Sequence, residues 1–235
     1  MFGAGTLINA LAVIAGGVLG ILFGKLLKKG LQDTLVCACG LSVIFIGAAG
    51  AFEKMFTVVD GSVVSSGTMM IIASLCIGGL IGELIGIEQL TERFGEWLKI
   101  KSASQSDTGF VTGFLNASFT LCIGAMAILG PINDVIYGDI SILLAKSVLD
   151  GVIVFAMTSS YGKGCIFSVI PLIAVQGFFS LCAKFIEPIL TDAALAQLSL
   201  VGSILIFSVG INLVFGKKIK VANYLPALII AALWR

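Results

Sequence analysis

The chain has 235 residues, of which 58% belong to the AVILMFWYC set and only 11% are charged, with a mean hydropathy of +1.13. A soluble domain carries roughly 25% charged residues, so this chain could not cover a water-facing surface with polar groups. Lys plus Arg is 14 and Asp plus Glu is 13, which leaves no field for nucleic acid, and the absence of His removes the commonest general base and metal ligand.

Apolar runs near 20 residues suit membrane-crossing helices rather than the alternating strands of a barrel. Uncharged windows predict spans over Thr6–Leu27, with Lys25 snorkelling at its end, then Thr34–Phe52, Ser62–Gly82, Gly109–Gly130, Ile140–Gly162, Gly164–Ala183 and Ala193–Gly216. An eighth run, Val221–Trp234, would be only about 21 Å long at 1.5 Å per residue. It is expected to be broken, tilted or half-inserted, with Pro226 in its first turn, where a missing N–H costs little. The fold class is therefore all-α: a polytopic helical membrane protein of seven spans plus a short C-terminal helix. The N-terminus lacks the basic region of a signal peptide and reads as a retained helix.

Charge in the connections orients these spans. Lys25, Lys28, Lys29, Arg93, Lys99, Lys101, Lys163, Lys217, Lys218 and Lys220 follow the odd-numbered spans, whereas the other side holds Lys54, Lys184 and Arg235. That bias puts the basic loops in the cytoplasm and the N-terminus on the outside. After span three, Ile87, Leu90, Phe94, Trp97 and Leu98 fall at helical spacing, with Glu88, Glu92, Arg93, Glu96 and Lys99 on other faces. An interfacial helix on the cytoplasmic leaflet is expected there, followed by a flexible linker at 101–107. The six cysteines, Cys37, Cys39, Cys76, Cys122, Cys165 and Cys182, show neither zinc nor disulfide spacing and read as small apolar side chains.

Internal similarity suggests how the chain is organised. GTLINALAVIAGGVLGILFG (5–24) and GTMMIIASLCIGGLIGELIG (67–86) match in phase. Their glycines, Gly16, Gly20 and Gly24 in one and Gly78, Gly82 and Gly86 in the other, form small-xxx-small stripes for close helix packing. LINA (7–10) matches FLNA (114–117), which relates span one to span four. A three-span unit duplicated in one chain emerges inverted, as in many secondary transporters. The expected units are a first repeat over 1–87, an interfacial helix and linker over 88–108, a second repeat over 109–187, and a C-terminal span and short helix over 188–235.

Two full charges lie well inside a span: Lys146 and Asp150, four residues apart and so on one helix face. An ionised residue near the midplane costs about 2.5–3.5 kcal/mol on insertion scales and usually serves function. The bland alternative is a packing clip in which Lys146 merely neutralises Asp150. Asn9 and Asn116, the repeat-related amides, could bond across helices or offer carbonyl oxygens to a cation. Ser118, Thr120 and Ser147 add neutral oxygens. With helix-break carbonyls these form a hard-oxygen set, suited to a small cation such as Na⁺ as coupling ion, with H⁺ at Asp150 as the other choice. Lys146 could instead hold an organic anion. GPINDVIYGDIS (130–141), with Asp134 and Asp139, reads as an external turn or an outer vestibule. Glu83 reads as a solvated helix end, and Gln176 and Asn212 as interhelical hydrogen-bond partners. Nothing suggests an enzyme, a resident metal or a cofactor: there is no triad, paired carboxylates at catalytic spacing, P-loop or GxGxxG.

GTLINALAVIAGGVLGILFGKLL, CIGAMAILG…GDISILLAKSVLDG and KKIKVANYLPALIIA together resemble the bacterial membrane family called domain of unknown function 554, over essentially the whole chain. The piece Pro131–Val135 is less typical, so its role transfers least. The resemblance implies a polytopic inner-membrane protein, sometimes described as a sodium channel or pump and linked to biofilm behaviour. It bears on Lys146, Ser147 and Asp150 of the central motif and on Asn223, Leu225 and Pro226 of the terminal one, and names no substrate. Three readings follow: a small ion-coupled secondary transporter of a solute or cation centred on Asp150 and Lys146, a cation channel, or a non-transporting membrane scaffold. A homodimer that mates its glycine stripes would help a small carrier shield a midplane site.

Overall fold

A computed structural model describes residues 3–234 apart from 25, 27, 60, 125 and 187–190; Lys25 and Arg235, counted above among the basic residues, lie outside the described set. Among the described residues six helices are long and apolar enough to cross a membrane, or seven if one bent pair counts as a single span. In chain order these elements are α1 (Ala4–Gly24), α2 (Lys29–Met55), strands β1 (Phe56–Val59) and β2 (Ser62–Ser65), α3 (Thr68–Ile85) and α4 (Ile87–Lys101). The second half holds α5 (Phe110–Cys122), α6 (Met126–Ile136), α7 (Ser141–Tyr161), α8 (Val169–Ile186), α9 (Asp192–Phe215) and α10 (Pro226–Leu233). Short 3₁₀ turns at Lys163–Ser168 and Val221–Tyr224 lead into α8 and α10. The protein is an all-α polytopic membrane protein with one small hairpin.

Three sequence expectations are corrected. The third span does not begin at Ser62: Ser62–Ser65 pairs antiparallel with Phe56–Val59, and the helix starts only at Thr68. The valines flanking the Asp-Gly dipeptide at 60–61 have the β-branched character and tight-turn chemistry of a hairpin. The fourth span is not continuous but bends by 53° between α5 and α6. Gly124 there has φ +133°, open to glycine and strained for other residues. And 130–136 is no turn: it is the second half of α6, with Gly130, Pro131, Ile132 and Asp134 buried.

With no water to exclude, helices in a bilayer associate by van der Waals contact, which small residues permit at close range. α1 and α7 run parallel: Gly5 meets Leu143, Gly16 meets Gly151, Gly20 meets Phe155 and Gly24 meets Ser159. A Cβ on Gly16 would stand 2.2 Å from the Gly151 carbonyl oxygen, so the two backbones touch. α2 lies antiparallel on α9, with Gly40 at Val214 and Gly47 at Phe207. α3 receives the terminal element through Gly78, against Ala227, and Gly82, against Asn223. Gly86, grouped with that stripe in the sequence, instead makes the elbow between α3 and α4 at φ +73°. The core centres on α5 and on α9, with Phe110, Phe114, Leu121, Leu205 and Val209 buried.

The connections carrying most of the basic residues share one end of the bundle. Gln32 donates to the Gly24 carbonyl, Ser160 donates to the Gln32 carbonyl, and the Lys163 N–H donates to Asp107. From that end the C-terminal element runs back across the fold. Trp234 lines a surface recess with Lys54, Thr68 and Ala193, at the opposite ends of α2, α3 and α9. On α4, Gly95 and Leu98 turn inward, while Leu90, Phe94, Trp97 and Ile100 form an exposed apolar stripe.

Candidate functional site

Lys146 and Asp150 project from one face of α7, one turn apart. The Lys146 Nζ lies 2.9 Å from both carboxylate oxygens. Across the α1–α7 seam, Asn9 donates its Nδ2 to Asp150 Oδ2 at 2.9 Å. Asn9 is 0% exposed, Asp150 3% and Lys146 6%. The glycine contacts make this possible: at Gly16–Gly151, one residue from Asp150, the backbones meet, so a side chain as short as Asn9 spans the seam. A charge buried alone would cost several kcal/mol; here the ammonium and the amide nitrogen both bind the carboxylate.

The helix break stands beside this group. Cys122, the last residue of α5, interacts electrostatically with both Lys146 and Asp150. The α5 ladder ends with Ile123 N–H donating to the Phe119 carbonyl at 3.0 Å, so the carbonyls of the final turn leave the helical pattern. The break also forms the wall of an apolar recess of about 580 Å³, shared by Phe119, Cys122, Ile123, Gly124, Val175 and Leu228. Neither Lys146 nor Asp150 reaches the surface of that recess.

The remaining candidates distribute differently. Ser147 donates to the Leu143 carbonyl at 2.6 Å, Ser118 to Phe114 at 2.6 Å and Thr120 to Asn116 at 2.8 Å. Each hydroxyl is satisfied by its own helix one turn back, which leaves none turned on Asp150. Asn116 lines a cavity of about 230 Å³ at the basic end with Tyr161, Glu88, Asn212 and Lys217. It stands apart from Asn9. Asp139 is exposed and accepts the Ser141 N–H at 2.9 Å, capping α7; Ser141's hydrogen bonds hold its carboxyl below the ordinary carboxylate range. The acid that faces inward is Asp134, 5% exposed, whose Oδ2 accepts the Gly5 N–H at 2.9 Å. Its position followed from the helical course of α6, which the Gly and Pro punctuation concealed. Asn212 bonds its own following loop, at Lys218 and Ile219, rather than another helix, and Gln176 has no partner for either amide atom among the described residues.

A second polar cluster closes the basic end. Asn223 accepts the Glu88 N–H at 2.8 Å and donates to Glu83 at 2.6 Å. Lys220 bonds the other Glu83 oxygen at 2.6 Å. Glu88, expected on an outward face of α4, is instead buried: it accepts the Ala222 N–H at 3.1 Å and pairs with Lys217 at 2.8 Å. Glu92 also contacts Lys217. Burial pulls the Lys217 pKa down, but Glu88 and Glu92 together outweigh it and leave the pKa above the ordinary lysine value. The elbow at Gly86 turns Glu88 inward, and no helical periodicity could signal that.

Comparison with known proteins adds a family and two relatives. A family described as "Protein of unknown function (DUF554)" matches residues 4–235. The chain is 32% identical over 226 residues to a protein of Bacillus subtilis (strain 168) named "Uncharacterized membrane protein YdfK", across 96% of this chain and 93% of that one. It is 29% identical over 231 residues to "Uncharacterized protein YqgA" of Escherichia coli (strain K12), across 97% and 94%. No solved structure matches the chain.

Proposed function

Since the chain belongs to the DUF554 family and is a multi-pass membrane protein, we propose that it is a small ion-coupled secondary transporter, not an enzyme, of a bacterial inner membrane. Its N-terminus lies outside and its basic loops lie in the cytoplasm. The observation that carries this reading is the Asn9–Asp150–Lys146 group, buried between α1 and α7 beside the broken α5–α6 span. Buried ionisable groups in membrane helices mark ion and substrate pathways, and discontinuous helices supply released backbone groups at such sites.

Asp150 is the coupling residue. When it takes up a proton or a small cation, it stops neutralising Lys146, whose charge becomes available to an anionic solute. The repeats relate the two access states: one three-span unit rocks against the other, with Gly124 as a hinge. The solute sees the site from one face and then the other. A second copy mated through exposed helices would complete the shield around so small a carrier.

A packing clip is the competing reading, favoured by the direct Lys146–Asp150 contact and its closure from the surface. Purified protein in liposomes separates the two. Under imposed sodium and proton gradients, entry of radiolabelled sodium and of protons (read by an entrapped pH dye) is expected to fall to background in Asp150→Asn. Flux unchanged by that substitution defeats the transport mechanism.

A further inference from the structure

Buried polar atoms in native proteins nearly always have partners, and clustered exceptions mark bound water or ions. Among the described residues, seven buried side-chain atoms have none. Five of the seven lie on two helices: Thr6 Oγ1 and Asn9 Oδ1 on α1, and Gln176 Oε1 and Nε2 with Ser180 Oγ on α8. Gln176 is 1% exposed and Ser180 4%.

The helices that carry these atoms pack together: α1 lies against α8 and against the 3₁₀ turn that leads into it. Gly17 of α1 meets Ile166, at the start of the α8 span, and Val13 and Leu172 join one core cluster. From Gly17 back to Thr6 is about 17 Å along α1, and from Ile166 forward to Gln176 is about 15 Å, at 1.5 Å per residue. Thr6, Val13 and Gly17 fall on one face of α1, as Leu172, Gln176 and Ser180 do on α8. Asp134 binds Gly5, beside Thr6. Asn9 binds Asp150 with its nitrogen, and its oxygen is itself one of the unpartnered atoms. A buried carboxylate therefore stands at each end.

The occupant follows from charge. Lys146 already neutralises Asp150, so a metal cation would enter against an ammonium. The unpartnered atoms are neutral, and both donors and acceptors are among them. Water satisfies such a set with about three hydrogen bonds per molecule.

We propose that Thr6, Asn9, Gln176 and Ser180 hold a buried file of water between α1 and α8 that carries protons between Asp134 and Asp150. This deepens the transport reading and rests on it, and it makes the proton the coupling ion. A proton bound at Asp134 passes to the adjacent water while the water at Asn9 gives one to Asp150, so the file is unchanged. Asp150 then becomes neutral while Lys146 keeps its proton and its charge. The groups that face Asp150 are Lys146 on its own helix, Asn9 from α1 and Cys122 from α5; Asp134 faces the Gly5 N–H, and Lys184 on α8 is exposed.

Infrared spectroscopy of the reconstituted protein tests the file, with the Asp150 bands assigned by their loss in Asp150→Asn. After a switch from H2O to D2O, the wild-type Asp150 signal is expected to shift promptly. In Thr6→Val/Gln176→Leu that shift slows about tenfold or more, equivalent to ~1.4 kcal/mol on the barrier. An unchanged rate in the double variant, or no exchange in the wild type, overturns the proposal. Should the variant not fold, an experimental map of the wild type decides: ordered water at Asn9 and Gln176 supports the file, and a dry niche overturns it. A sodium gradient that drives Asp150-dependent flux while a proton gradient drives none defeats only the file. Flux indifferent to Asp150→Asn defeats the transport reading itself.

Discussion

Two seams in this protein carry the same glycine signature and use it for different ends. Along α1–α7, Gly16, Gly20 and Gly24 bring two long parallel helices into backbone contact, and a charged group sits beside the Gly16–Gly151 end of that contact. Along α3, Gly78 and Gly82 seat a short terminal element. Its polar partners, Asn223, Glu83, Glu88 and Lys217, gather at the end of the bundle, where Lys217 and Glu83 remain half in solvent. Close packing alone is therefore not a functional signature. What distinguishes the first seam is that both members of its ion pair are buried, whereas Lys217 and Glu83 reach solvent.

The largest expected effect tests that distinction. Lys146→Met leaves Asp150 buried with the Asn9 amide as its remaining hydrogen-bond donor, and should cost about 3–5 kcal/mol, the range for breaking a buried pair from one side. Thermal unfolding in detergent reads this as a large drop in Tm. Lys146→Met/Asp150→Leu should recover most of that stability without recovering flux. A pair replaceable at no cost to flux would place the α1–α7 seam in the same class as the α3 seam.

Glycine substitution sharpens the same contrast at a smaller scale. Gly16→Ala puts a methyl into the backbone of a helix also held at Gly20 and Gly24, so overpacking near the upper end of about 1–3 kcal/mol is expected. Gly82→Ala meets the Asn223 carbonyl, but the element it displaces is only a 3₁₀ turn and an eight-residue helix, which can shift. A loss near the lower end of the same range is expected there. Equal losses in Tm would mean that the terminal element is held as rigidly as α7.

The alkaline response of the second cluster is the smallest effect. The Lys217 pKa is raised by Glu88 and Glu92 against its burial. Its stabilising contribution is thus complete below the ordinary lysine value of roughly 10.4 and disappears as pH climbs through the higher folded value. Limited proteolysis between α9 and α10 should accelerate in that window, and Lys217→Met should remove the dependence.

Much of this is legible in the sequence, for identifiable reasons. Uncharged length locates membrane helices, and the i, i+4 spacing of Lys146 and Asp150 by itself puts both on one face. Other features depend on neighbours that linear periodicity does not encode. The hairpin at 56–65 is hidden because its valines extend the apolar window of α3. The α5–α6 bend is hidden because Ile123 and Gly124 are as apolar as the helices they divide. Asn116 and Asn9 share a local pattern, LNA beside INA, yet one lines a cavity with Tyr161 and the other meets Asp150, since partners come from other spans. Glu88 looks solvent-facing because periodicity measured on α4 alone ignores the elbow that tucks its first turn under Ala222.

Side-specific labelling of a cysteine at position 9, in a chain otherwise stripped of its cysteines, probes the claim that the α1–α7 seam opens. In right-side-out and inverted vesicles, Asn9→Cys should react with a membrane-impermeant thiol reagent from each face. No reaction from either face would mean that Asp150 and Lys146 are a permanently sealed clip, contradicting the transport account.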